Sequence, residues 1–274
     1  MNATFKHILI PFDNSPSARV ALRTAVNLSK KFKAQMTMVY ANPDFEIAED
    51  IMETMRTVKN NAEIDITLFQ PKGLIYQEVI AVAESSKCDL IIMGTHGDSG
   101  IHELFVGSNA YRVVSSSSIP VLTMQESYKK DSFDTIVIPI DDSHETRQKI
   151  PMVRQIAGYF NSKVYILGCS KWETTDVRSR VEQYADQTKR LLEEADIECE
   201  IRHNFGGNIA EATMDYSEEI KADLIIAMSE SEPAGGFFMG ANAQRLVNHS
   251  DIPVLTIAAK DEISGVSAYW SGMN

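Results

Sequence analysis

Three cysteines, Cys88, Cys169 and Cys199, are all that this 274-residue chain offers for thiol chemistry. They are odd in number, far apart and in neither a CxxC pair nor a Cys/His cluster. That excludes a disulfide framework and the usual zinc spacings, and it fits a reducing cytoplasm. No apolar run approaches the roughly 18 residues that a membrane span needs, so no spanning helix is expected. The opening stretch MNATFKHILIPFD carries charge inside a short apolar strand and has no h-region or small-residue cleavage site, so no signal peptide is expected. Positive charge is in deficit: 26 Lys and Arg face 38 Asp and Glu, a formal net charge of −12. Nucleic acid and anionic membrane are therefore disfavoured partners, because both are bound largely through cations on phosphates. Several catalytic signatures are also missing. Without HExxH, a GxSxG elbow, GxxxxGK[ST] or GxGxxG after the first strand, zinc proteases, serine hydrolases, P-loop motors and dinucleotide enzymes are disfavoured. A ligase that splits ATP to pyrophosphate would want an SGGxDS-type loop there, where DNSPS stands instead.

What is present is a soluble, core-forming composition, 44% apolar with 23% charged, in a chain long enough for two ordinary domains. The second half repeats the first. HILIPFDNS (7–15) aligns with TIVIPIDDS (135–143), CDLIIMG (88–94) with ADLIIAM (222–228), and VGSNAYRVVSSSSIPVLTM (106–124) with MGANAQRLVNHSDIPVLTI (239–257). The offsets are 128, 134 and 133, too long for a solenoid unit and right for a duplicated domain with short insertions. We expect domain one over residues 1–124, a polar linker over 125–132 (QESYKKDS), domain two over 133–259 and a tail over 260–274. The tail carries Tyr269 and Trp270 without a core of its own, so it is either frayed or docked on a partner chain, and the usual burial of tryptophan favours docking.

Within the first copy short apolar runs alternate with amphipathic stretches: HILIPF, SARVALRTAVNLSKKF, AQMTMVYA, a helix near 47–61, IDITLF, GLIYQEVIAVAESS, CDLIIMG, a helix near 107–116 and IPVLTM. Runs such as DLIIM show no period of two, as expected of strands covered by helices on both faces. The fold class is therefore α/β, two tandem doubly wound parallel sheets of Rossmann-like type. IPVLTM and IPVLTI end each sheet as edge strands. Pairing them across a pseudo-twofold axis would protect both edges and make an internal dimer.

In such sheets ligands bind beyond the carboxyl ends of the strands at the switch point. After the first strand, Asp13 in PFDNS could meet a ribose or help hold a metal near phosphates, or could cap the following helix. After DLIIM comes GTHGDSGIHELFVGS, with glycines at 94, 97 and 107 and Ser108, the spacing G-x2-G-x9-G-S. Gly94 and Gly97 admit close backbone approach, and Gly107–Ser108 open a helix whose N-terminus attracts an anion. The same glycines, Gly100 included, also serve as plain turn residues, and Ser108 as a plain cap.

This spacing, together with ILIPFDNS and SSSSIPVLTM, resembles the universal stress protein family in its tandem form, over residues 6–257. The resemblance implies an adenine-nucleotide alpha-hydrolase-like fold and a site of the family's ATP-binding branch. By position Pro11 and Asp13 would face adenine and ribose and Val39 would pack on the base. Gly94, Gly97, Gly107, Ser108 and Asn109 would hold the phosphates, with Met93 and His96 lining the loop. ATP, with Mg2+ as its counterion, is the implied cofactor. The second copy departs from the pattern: Met228 and Ser231 replace Gly94 and Gly97, Ala241 replaces Ser108, and Glu230 and Glu232 stand where phosphates would lie. A β-carbon and like charge both oppose a nucleotide there.

The remaining candidates have plainer readings. His96 reads as a solvated loop histidine and Met52 and Met55 as core fillers. Residues 177–196 read as a covering helix that turns Val181, Tyr184, Thr188, Leu191 and Leu192 to the sheet, and HNFGGNIAEA (203–212) as a tight strand-to-helix turn. The expected function is a cytoplasmic stress-response protein that binds ATP in domain one and acts through contacts with a protein partner not identified by the sequence, as a pseudo-dimer open to homodimerisation. The resemblance leaves slow hydrolysis open. A nucleotide-independent scaffold is the alternative.

Overall fold

The computed structural model describes residues 5–40, 49–62, 64–95, 108–229 and 239–259. The first half contributes strands β1 (His7–Phe12), β2 (Gln35–Tyr40), β3 (Ile66–Phe69), β4 (Leu90–Gly94) and β5 (Val121–Met124). Its helices are α1 (Pro16–Phe32), α2 (Glu49–Ala62), α3 (Ile75–Ser85) and α4 (Ser108–Ser116). The second half gives β6 (Thr135–Ile140), β7 (Lys163–Ser170), β8 (Cys199–Phe205), β9 (Leu224–Ser229) and β10 (Val254–Ala258), with α5 (Ile150–Phe160), α6 (Thr175–Glu193), α7 (Ile209–Glu219) and α8 (Ala241–His249). A short 3-10 turn, Glu145–Arg147, precedes α5.

All ten strands join one sheet in the order β3-β2-β1-β4-β5-β10-β9-β6-β7-β8. Every neighbouring pair is parallel except β5 and β10, which run antiparallel. The two IPVLT edges have found each other, so the strands that would end each half lie at the centre of the sheet. The junction is symmetric about the pair Leu122 and Leu255. On one side the Thr123 hydroxyl donates to the Val254 carbonyl, and on the other Thr256 donates to Val121, each at 3.1 Å.

Alternate residues of the buried strands feed two cores, one on each face. Ile8 and Ile10 pack under α1, and the same layer continues into the second half through Val153, Ile156 and Ala185 of α5 and α6. Leu9 and Ile91 face the other way, into the layer of α3, α4, α7 and α8. Aromatic rings stitch the first layer across the halves: Phe32 lies 4.1 Å from Tyr159 and 6.3 Å from Phe160, centroid to centroid. The aspartate of the repeated DLII has a structural use. Asp89 accepts from the backbone N–H groups of Lys6 and His7 at 2.6 and 2.9 Å, and Asp223 accepts from that of Thr135 at 2.9 Å. Each carboxylate thereby fixes the start of the neighbouring first strand.

Helix ends follow local chemistry. Ser15 caps α1 by accepting from the Ala18 N–H, and Pro16 stands in its first turn, where a missing N–H costs nothing. Gly206 at φ +84° and the Asn208 cap make HNFGGNIAEA the turn its composition implies. Val181, Thr188 and Leu192 of α6 are buried, with Tyr184 and Leu191 packed at the margin, and Met55 of α2 fills the core edge.

Candidate functional site

In the first half β1 lies between β2 and β4, and the connections after β1 and β4 leave towards opposite faces. The crevice at their carboxyl ends is the switch point. Asp13 stands there, and its Oδ1 accepts from both the N–H and the hydroxyl of Ser15, at 3.0 and 2.6 Å. Ser15, not Asp13, is therefore the helix cap, and the aspartate is a carboxylate held in one orientation at the ligand end of the sheet. Asn14 between them takes φ +68°, a conformation that asparagine tolerates better than most residues.

Gly94 ends β4, and its lack of a side chain has a packing reason. A β-carbon there would lie 2.3 Å from Ser17 Oγ, 2.7 Å from Ser17 C and 2.8 Å from Ala18 N. Two of these are backbone atoms of the first turn of α1, so the helix N-terminus sits hard against the end of β4 only because residue 94 is glycine. The amino end of α1 is thereby presented at the crevice.

Pro11 pairs with Val39 in register across β1 and β2, and both are buried. Val39 and Met93 are buried in the layer that holds Leu9, Tyr76 and Val79, so they are core residues at the strand ends. Asn109 is exposed in the first turn of α4, whose helix starts at Ser108. His96, Gly97 and Gly107 lie outside the described residues, as do the side chain of Ser108, Gly100, the second-half loop carrying Glu230, Ser231 and Glu232, and the tail with Tyr269 and Trp270.

The corresponding crevice of the second half is built differently. Asp141 accepts from the N–H and hydroxyl of Ser143 just as Asp13 does from Ser15. The helix does not follow at once: the 3-10 turn intervenes and α5 begins at Ile150, with a proline in its first turn. Met228 occupies the place of Gly94, where a helix start as close as that of α1 would collide with it. In the gained turn Lys149 is 1% exposed. Its ammonium donates to the carbonyl and hydroxyl oxygens of Thr146, whose hydroxyl also accepts from the Asp141 N–H at 3.1 Å. Burial pushes the Lys149 pKa down to about 8, against the attraction of Asp141 and Cys169. Cys169, itself buried, is pushed up by desolvation and by Asp141. The cysteines are free and buried, and among the described residues no group of three or more His, Cys, Asp or Glu could hold a metal ion. Among the described residues no helix is long and apolar enough to cross a membrane.

Two doubly wound α/β halves, joined edge to edge and each with a strand-end crevice, define the class. The model of the universal stress protein family matches residues 4–65, 46–125 and 132–258, and the chain belongs to that family. A universal stress protein of Methanocaldococcus jannaschii, MJ0531, is 30% identical over 145 residues, covering 46% of this chain and 85% of its own. A second from the same organism, MJ0577, is 26% identical over 161 residues, covering 46% and 98%. Among solved structures, a universal stress protein of Archaeoglobus fulgidus superposes with a TM-score of 0.75 at 17% identity, covering 94% of this chain and 99% of that one, which shows the shared fold over nearly the whole length.

Proposed function

We propose that the first half binds an adenine nucleotide, ATP with Mg2+, in the β1/β4 crevice, and that the protein is a cytoplasmic stress-response regulator acting through protein contacts. The observation that carries this is the fixed Asp13 at the switch point, beside the N-terminus of α1. A carboxylate held by two donors on one oxygen is preorganised to accept from vicinal ribose hydroxyls, and in this reading the base lies over the strand ends where Pro11, Val39 and Met93 form the apolar core. In this reading Gly94, His96, Gly97, Gly107, Ser108 and Asn109 surround the phosphates. The second half, with Met228 for glycine and its own lysine enclosed at the helix start, holds no second nucleotide. Domain one spans residues 1–124 and domain two 133–259, with 125–132 between them; hydrolysis, where it occurs, is slow.

The test is to denature the purified protein without added nucleotide and to identify and count what it releases. About one ATP or ADP per chain supports the reading. No release, together with no binding on titration with Mg-ATP, refutes it and leaves a protein that works through contacts alone.

A further inference from the structure

The central seam obeys its twofold symmetry in backbone pairing and in the two threonine hydrogen bonds, but one side chain breaks it. Gln125, the residue after β5, donates through Nε2 to the carbonyl of Ser250, the C-cap of α8 in the other half, at 2.8 Å. Its Oε1 accepts from the Thr95 hydroxyl at 2.7 Å. A carbonyl only accepts, so Ser250 sets which way the amide faces and leaves its oxygen for Thr95. Thr95 is 1% exposed, follows Gly94 directly and also donates its N–H to the Met124 carbonyl at 3.1 Å. The symmetric position in the second copy is Ala258, which cannot donate to the carbonyl of Ser117, the counterpart of Ser250. Among the described residues this link is therefore found on the side whose crevice keeps its glycine.

We propose that Gln125 is a positioning residue for nucleotide binding in the first half: it anchors Thr95, and with it the exit of β4 beside Gly94, to the second half. This rests on the nucleotide reading above. The second half then contributes to affinity without touching the ligand, because the strand end that the ligand meets is held from across the seam. A preorganised site loses less freedom on binding, and one part-buried hydrogen bond supplies an effect of a few-fold.

The experiment is calorimetric titration of the full-length chain with Mg-ATP. The variants are Gln125→Met, which keeps the side chain's reach without its hydrogen bonds, Thr95→Val, the double variant, and Thr256→Val as a seam control that does not touch Thr95. The expected result is a loss of affinity of about three- to tenfold in each of the first two. The double variant should lose no more than the larger single loss, since both cut one chain of bonds, and Thr256→Val should bind as the wild type does. Wild-type affinity in Gln125→Met overturns the inference alone. So does an equal loss in Thr256→Val, which would mean general loosening of the seam, or additive losses in the double variant. A wild-type protein that does not bind Mg-ATP removes the nucleotide reading itself, and the positioning role with it.

Discussion

Replacing Lys149 by methionine should stabilise the protein at neutral pH and cease to do so in alkali. The lysine is wholly buried and its pKa is lowered from 10.5 to about 8 by desolvation. At pH 7 it is charged in both folded and unfolded chains, and the folded chain bears the full cost, roughly 3 kcal/mol from that difference. Between about 8 and 10.5 the unfolded chain binds more protons at this site than the folded one, so the lysine's cost fades as pH rises, and above 10.5 it is gone. Methionine matches the length of the stem but leaves the Thr146 carbonyl without its donor, a loss of about 1 kcal/mol at every pH. The variant should therefore be more stable by about 2 kcal/mol at pH 7 and less stable by about 1 kcal/mol near pH 10.5. Denaturant unfolding of both proteins at half-unit steps from pH 7 to 10.5 measures the difference and cancels the other titrating groups. A stability difference that stays flat across this range would refute the reasoning, for it would mean that the ammonium is as well solvated inside as outside.

Gly94→Ala should be destabilising by about 1–3 kcal/mol, towards the upper end because backbone of α1 must move, and should lower the melting temperature by roughly 5–10 °C; an unchanged melt would show that α1 is not held against β4. Thr123→Val and Thr256→Val should each cost about 1 kcal/mol and cost the same, because they remove symmetry-related bonds. Unequal losses in denaturant titrations would contradict the symmetric seam.

Much of this architecture is legible in the amino-acid order. Unbroken runs such as DLIIM announce strands covered on both sides, and the twice-used IPVLT identifies the edges that need each other. The crevices are less so. A glycine after a strand reads equally as a phosphate cradle or as a contact with a neighbouring helix, because both require the same missing β-carbon; only three-dimensional packing shows Ser17 and Ala18 against Gly94. Lys149 gives no periodic signal, since DDSHETRQKIP aligns without a gap against a helix start in the first copy. The one local sign is Pro151 in the first turn of α5, as Pro16 is in that of α1, which marks a helix that begins later. The Gln125 link joins residues that only the seam brings near, so no local pattern encodes it.

The antiparallel pairing of β5 with β10 has a further consequence. Relatives such as MJ0577 correspond over 98% of their length to about half of this chain. Where two separate chains meet through such a seam, assembly depends on dilution and each partner can choose an identical copy. Here the partner is covalently tethered, so its effective concentration is fixed by the linker and no dilution parts the halves. Tethering also dictates pairing: a half with glycine at the β4 end always faces a half with methionine and a buried lysine, in a one-to-one ratio. Because the strands reverse direction at the seam, the two crevices open at opposite ends of the molecule. A binder at one end therefore leaves the other end clear, and each protein molecule has a distinct front and back.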